Sequence, residues 1–242
     1  MKILEHLEQH PVFPLKIGGL DLSITNGVIT LWLSLLLVFS LFFILSRRLK
    51  LIPGRLQNAF EVILLFMRDE VASQLGRDRD RFFPLIISLF FFILFNNLLG
   101  LVPGFSGVTG NINMTAALAI VIFITVQTVG ILRHGLGGYL KSIIPAGVPL
   151  PIAIFMIPIE FISQLAKPFS LAVRLFANMF AGHAVMLMLL SLIFIFKSYF
   201  ILPLPVLGNS AVLAFEIFVA FIQAFIFTYL STLYIATALE GH

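Results

Sequence analysis

Five stretches of this chain are longer and more apolar than any water-soluble core can absorb. A hydrocarbon layer about 30 Å thick is crossed by roughly 20 apolar helical residues. Four stretches meet that requirement directly, at about 27–46, 82–102, 114–132 and 210–239, and a fifth, 150–196, exceeds it. The composition agrees, with 60% hydrophobic residues, 11% charged residues, 27 Phe and a mean hydropathy of +1.10 over 242 residues. Soluble domains carry about 25% charged residues. The expected class is all-α, a polytopic membrane protein with about five membrane-embedded helices and a single membrane domain over 27–242.

Between the first two spans, at 53–75, Leu56, Phe60, Ile63, Leu64, Met67, Val71 and Leu75 recur at helical spacing, with Arg55, Asn58, Glu61, Arg68 and Asp69 elsewhere. That pattern predicts one amphipathic helix at the membrane interface, with Pro53 near its start and Gly76 near its end. The run 150–196 would extend roughly 70 Å as one helix, more than twice the hydrocarbon thickness. Periodicity leaves two possibilities, two crossings broken near Lys167-Pro168 or one strongly inclined helix, since Pro168 permits either a break or a kink. Residues 1–26 have acidic groups and no apolar segment with a cleavage site, so they are expected to remain as an extracytoplasmic polar tail. Ten Lys and Arg lie in the connections 47–81 and 133–149, against Lys2, Lys16 and Lys197 on the other side. By the positive-inside rule the N-terminus is outside and the C-terminus cytoplasmic.

Absent cysteine excludes disulfides and Cys-ligated metal, and there is no phosphate-binding Gly-rich loop. The charge of +4 reports topology and gives no sign of nucleic-acid binding. The chemistry must therefore lie in the intramembrane polar groups. A membrane-centre Arg costs roughly 2.5–3.5 kcal/mol on insertion scales, so Arg174 in "KPFSLAVRLFANMFAGHAVM" needs compensation. From Glu160, the residues Ser163, Lys167, Ser170, Arg174 and Asn178 fall at offsets of 3, 7, 10, 14 and 18, one narrow polar stripe on a helix. His183 is offset by 9 from Arg174 and points the opposite way, while Glu216, Gln223 and Tyr234 share a face of the last span. An intramembrane ionisable stripe signals an ion pathway, with a buried structural ion pair as the plainer alternative. His183 and Glu216 are natural neighbours across an antiparallel hairpin and could relay a proton; a static hydrogen bond is the alternative there, and no third ligand makes a metal site. Asn97 and Asn111, near the outer helix ends, and Ser170 are candidates for wetting a vestibule, although such Asn residues are usually caps or turn formers.

The segments "SQLAKPFSLAVRLFANMFAGHAVM", "FEIFVAFIQAFIFTYLSTLYIATALEGH" and "FNNLLGLVPG" resemble subunit a of the F-type ATP synthase, over essentially the whole chain. The resemblance implies that Arg174 faces a ring of c subunits, with Asn178, His183, Glu216 and Gln223 around it and Glu160 lining the path to the cytoplasm. Part of that family carries the imidazole and the carboxylate in exchanged positions. The resemblance also implies that 150–196 and 210–239 are two long inclined helices facing the ring, the first kinked at Pro168. The implied function is a non-catalytic proton-translocating stator subunit with two offset half-channels and Arg174 as the fixed charge between them. Implied partners are the c-ring, b-type peripheral stalk subunits, the lipid bilayer and transported protons, in a bacterial plasma (inner) membrane. No cofactor, no nucleic acid and no direct nucleotide binding are expected. A self-contained transporter using Glu160, Arg174 and Glu216 for an anionic substrate, and a purely structural membrane anchor, are the alternatives.

Overall fold

The computed structural model describes residues 11–13, 16–17, 20–21, 23–47, 50, 53–102, 105, 107–142, 150–196 and 203–240. Lys2 and Lys197, which contributed to the orientation expected from charge, lie outside the described residues. Two short antiparallel ladders come first: β1 (Pro11–Phe13) pairs with β4 (Ile24–Thr25), and β2 (Lys16–Ile17) with β3 (Leu20–Asp21). Helices form the rest: α1 (Asn26–Arg47), α2 (Arg55–Phe66), α3 (Arg79–Gly100), α4 (Ile112–Ser142), α5 (Leu150–Phe196) and α6 (Pro203–Glu240). Among the described residues, five helical stretches are long and apolar enough to cross a membrane: Asn26–Arg47, Gln57–Gly100, Ile112–Gly135, Met156–Ile193 and Pro203–Glu240. The protein is all-α and polytopic.

The amphipathic segment begins as an α-helix after Pro53 and Gly54, and the Asn58 amide donates to the Gly54 carbonyl at 2.8 Å. Beyond Phe66 it widens into a π turn, Met67–Val71, and tightens into a 3-10 segment, Ala72–Asp78. Met67, Val71 and Leu75 are buried while Arg68 and Asp69 stay exposed, as the apolar spacing requires. Gly76 has φ 53°, a conformation that an L side chain rarely adopts, and the chain turns there into α3.

Residues 150–196, which periodicity left open, form one continuous helix containing both Pro158 and Pro168. Pro168 has no N–H, so it cannot donate the helical bond that the Gln164 carbonyl would otherwise accept. The last helix starts at Pro203, seven residues before the expected 210. Pro203 and Pro205 lie in its first turn, where a missing N–H leaves nothing unsatisfied and the fixed φ suits a helix.

The chain divides into two compact units: 1–48, 91–111 and 175–224 in the first, and 49–90, 112–174 and 225–242 in the second. In the first unit α5 and α6 run antiparallel, with Leu189 beside Gly208, Gly182 beside Glu216 and Asn178 beside Gln223. Thr30 and Ser34 of α1 are buried there and return their hydroxyls to carbonyls of their own helix, which removes two polar groups from the apolar interior. In the second unit, Phe90, Ile86, Met67, Leu171, Phe227 and Ile235 are among the buried apolar side chains.

Candidate functional site

The first unit holds six of the expected polar residues, Asn97, Asn111, Asn178, His183, Glu216 and Gln223. Asn178 donates its amide to Gln223 Oε1 at 2.6 Å, and Gln223 Nε2 is buried with no acceptor among the described residues. Buried Asn97 donates to the Ala220 carbonyl at 3.4 Å and accepts from Thr109 at 2.8 Å. Both turns of α6 bearing Glu216 and Gln223 share one face, since seven residues are close to two turns. Glu216, Asn178, Gln223 and Asn97 line one cavity of about 10 Å³, completed by Leu101, Leu175, Met179, Val219 and Ala220. That is room for about one water.

His183 and Glu216, expected as neighbours that act together, each make a contact of their own in the first unit. His183 Nε2 lies 2.8 Å from the Gly100 carbonyl. A carbonyl only accepts, so Nε2 carries a hydrogen and donates it. Gly107 leaves the space this ring uses, because a Cβ there would come within 2.8 Å of His183 Cε1. Glu216 instead packs its carboxyl group against Gly182. Among the described residues the ion pairs are Arg68–Asp80 and Arg79–Asp80, and none joins His183 to Glu216. The last residue of α3 thus supplies the partner that α5 and α6 alone did not reveal. Asn111 also lies in the first unit, at the end of a short 3-10 turn, Val108–Gly110.

The second unit holds a larger cavity, about 70 Å³, with room for several waters. Its polar lining is Glu160, Gln164 and Lys167 from α5, Gln127 and Tyr139 from α4, and Tyr234 and Thr237 from α6. Glu160 was expected on an ion path; Gln127, Gln164 and Tyr139 were not, although Gln164 follows Glu160 by four residues, one helical turn. Gln127 donates to Gln164 Oε1 at 3.3 Å, and the Tyr139 hydroxyl reaches both Gln127 and Gln164. Burial pushes the Tyr139 phenol above its ordinary value; the Gln127 bond opposes this and the Glu160 charge adds to it. Lys167 rests its ammonium 5.5 Å above the Tyr234 ring, a cation–π contact that keeps its charge beside the cavity.

Arg174 is the last residue of the stretch 112–174 of the second unit and lies on the exposed face of α5, as does Ser170. Among the described residues no carboxylate is within ion-pair distance of it, although its charge acts on Tyr234. Around it α5 shows large apolar side chains outward, Phe169 at 70% exposure among them. A permanent cation on an open face of a membrane-length helix is suited to meeting an anion carried by another chain. No group of three His, Asp or Glu that could hold a metal occurs among the described residues.

A family model described as ATP synthase A chain matches residues 28–236. The ATP synthase subunit a of Chloroherpeton thalassium is 44% identical over 236 residues, covering 94% of this chain and 71% of that protein. The ATP synthase subunit a of Paramagnetospirillum magneticum is 39% identical over 246 residues, 99% of this chain and 98% of that protein. That of Myxococcus xanthus is 42% identical over 247 residues, covering this chain fully and 80% of its relative. With near full-length similarity added to five membrane-length helices and an intramembrane Arg, the chain belongs to the ATP synthase A chain family.

Proposed function

We propose that this chain is the proton-translocating stator subunit of a rotary ATP synthase, itself non-catalytic, working against carboxylates on a ring of c subunits. The observation that carries the reading is Arg174, a guanidinium within a membrane-length helix, exposed, with no carboxylate partner among the described residues. Leaving such a charge uncompensated in lipid is costly, so its counter-charge must come from elsewhere in a complex. A guanidinium is a fixed, delocalised cation with a planar fork of donors. It therefore attracts a deprotonated rotor carboxylate, favours release of that carboxylate's proton, and repels protons that would leak past it.

Protons are taken up past His183, Asn178, Gln223 and Glu216, where an imidazole and a carboxylate stand on neighbouring helices of the first unit. Release runs past Glu160 through the cavity of the second unit, whose volume admits a short chain of water. The positive-inside rule orients uptake to the outer side and release to the cytoplasm of a bacterial plasma membrane, and b-type stalk subunits complete the stator. The test is Arg174→Ala in the intact complex. ATP synthesis driven by a proton gradient in inverted vesicles should be abolished while passive proton flux rises, with the c-ring still copurifying. Synthesis near the parental rate would overturn the stator reading.

A further inference from the structure

Tyr139 reaches the second unit's cavity by an unusual route. In a straight α-helix, residues 12 apart lie about 18 Å apart along the axis, yet the Tyr139 hydroxyl bonds the side chain of Gln127 in the same helical segment. The reversal occurs at Gly135, which has φ 70° and ψ 163° and which an L side chain would strain. Membrane-length apolar helix ends at the same residue. The returning ring is received by Gly130, where a Cβ would come within 2.7 Å of Tyr139 Cε2 and 2.9 Å of Cδ2. Two glycines, one turning the chain and one leaving room, therefore bring this one aromatic side chain to the cavity. Among the described residues, Tyr139 is the one that the stretch of α4 after Gly135 contributes to the cavity lining.

We propose that Tyr139 is a positioning residue for proton release: its ring covers the cavity beside Glu160, and its hydroxyl fixes the orientation of the Gln127 and Gln164 amides. This rests on the reading of that cavity as the release path. The hydroxyl donates to Gln127 Oε1 and lies 3.4 Å from Gln164 Oε1, while Gln127 Nε2 donates to that same oxygen at 3.3 Å. With both amide oxygens engaged as acceptors, what Gln164 has left for the cavity is its N–H pair. Glu160, one turn earlier on α5, is the carboxylate within that reach. The Gln164 N–H pair is therefore left to hold and order the water beside that carboxylate. The other charged and titratable groups facing this cavity, Lys167 and Tyr234, are engaged with each other.

Because the chain contains no cysteine, a single reporter cysteine at the cavity wall, Ala238→Cys, measures access to it. The measurements use intact complex in inverted vesicles, normalised to copurified c-ring, with passive proton flux read after removal of the catalytic sector. Losing one hydrogen bond worth about 1 kcal/mol predicts that Tyr139→Phe slows flux roughly fivefold while leaving maleimide labelling at 238 unchanged, since the ring remains. Tyr139→Ala should speed that labelling severalfold from the cytoplasmic side. Parental flux in Tyr139→Phe would overturn the role of the hydroxyl, and unchanged labelling in Tyr139→Ala would overturn the cover. Either result beside a loss of synthesis in Arg174→Ala sinks the Tyr139 inference alone; parental synthesis in Arg174→Ala sinks the stator reading beneath it.

Discussion

Replacing Gly182 by Ala tests how tightly the first unit holds its carboxylate. A Cβ at 182 would overlap Cδ and both carboxylate oxygens of Glu216 at once. Non-bonded heavy atoms rest about 3.5 Å apart, so the carboxyl group must withdraw by roughly an ångström or more. It cannot do so freely, because the cavity it shares with Asn97, Asn178 and Gln223 is only about 10 Å³. Two effects oppose each other. Ala is favoured over Gly inside a helix by about 0.8–1.0 kcal/mol, so folding should not suffer. Misplacing a reacting group by about 1 Å can cost on the order of 100-fold in rate. The expected outcome is gradient-driven ATP synthesis in inverted vesicles reduced roughly ten- to a hundredfold, with undiminished complex assembly and melting temperature. Glu216→Asp shortens the side chain by one carbon–carbon bond, about 1.5 Å. It should be harmful alone and restorative beside Gly182→Ala. Parental synthesis in Gly182→Ala, or strictly additive losses in the double variant, would refute the argument.

Arg174→Lys should lose most synthesis although the formal charge is kept, because a desolvated ammonium can give up its proton and presents no planar fork; vesicle assays in parallel with Arg174→Ala check this. Asn178→Ala and Gln223→Ala should each slow pumping, and a double-mutant cycle on the pumping rate should return a coupling of about 1 kcal/mol for their shared hydrogen bond. A cysteine at Ser23 should react with an impermeant maleimide only from outside the cell, and reaction only from the cytoplasmic side would reverse the proposed orientation. The raised Tyr139 phenol should appear as a phenolate absorbance step above the ordinary value of about 10, found as the difference between parent and Tyr139→Phe. Its sign follows: the stabilisation from the neutral phenol is full below that value and fades as pH climbs through the folded pKa.

The membrane spans were legible because lipid imposes a length and a composition that few other environments do. Arg174 was legible because a charge at that depth needs a reason. What stayed hidden depends on departures from a regular helix. Tyr139 and Gln127 sit 12 residues apart, and constant 3.6-residue periodicity keeps such positions far from each other; only the positive φ at Gly135 joins them. Glycines at 130 and 135 were the available signal, readable as a notch and a turn. Helix α6 begins ahead of the expected 210 because the first turn of a helix accepts Pro203 and Pro205 as readily as a loop does. The partner of His183 was missed because it is a backbone carbonyl, Gly100, and carbonyls leave no mark in side-chain patterns.

The proline at 168 frees a second backbone carbonyl of this kind. With no N–H at that position, the carbonyl of Gln164 loses its helical donor one turn away from Glu160, beside a cavity that Gln164 and Pro168 both line. A carbonyl oxygen is present whatever residue occupies position 164, it does not titrate, and no mutation of its own codon can delete it. Water in that cavity consequently has one acceptor that is genetically invisible at its own site. Scans that replace side chains one by one would score 164 by its amide alone, and the contribution of its oxygen would surface at a different position, where any residue bearing an N–H in place of Pro168 could claim it.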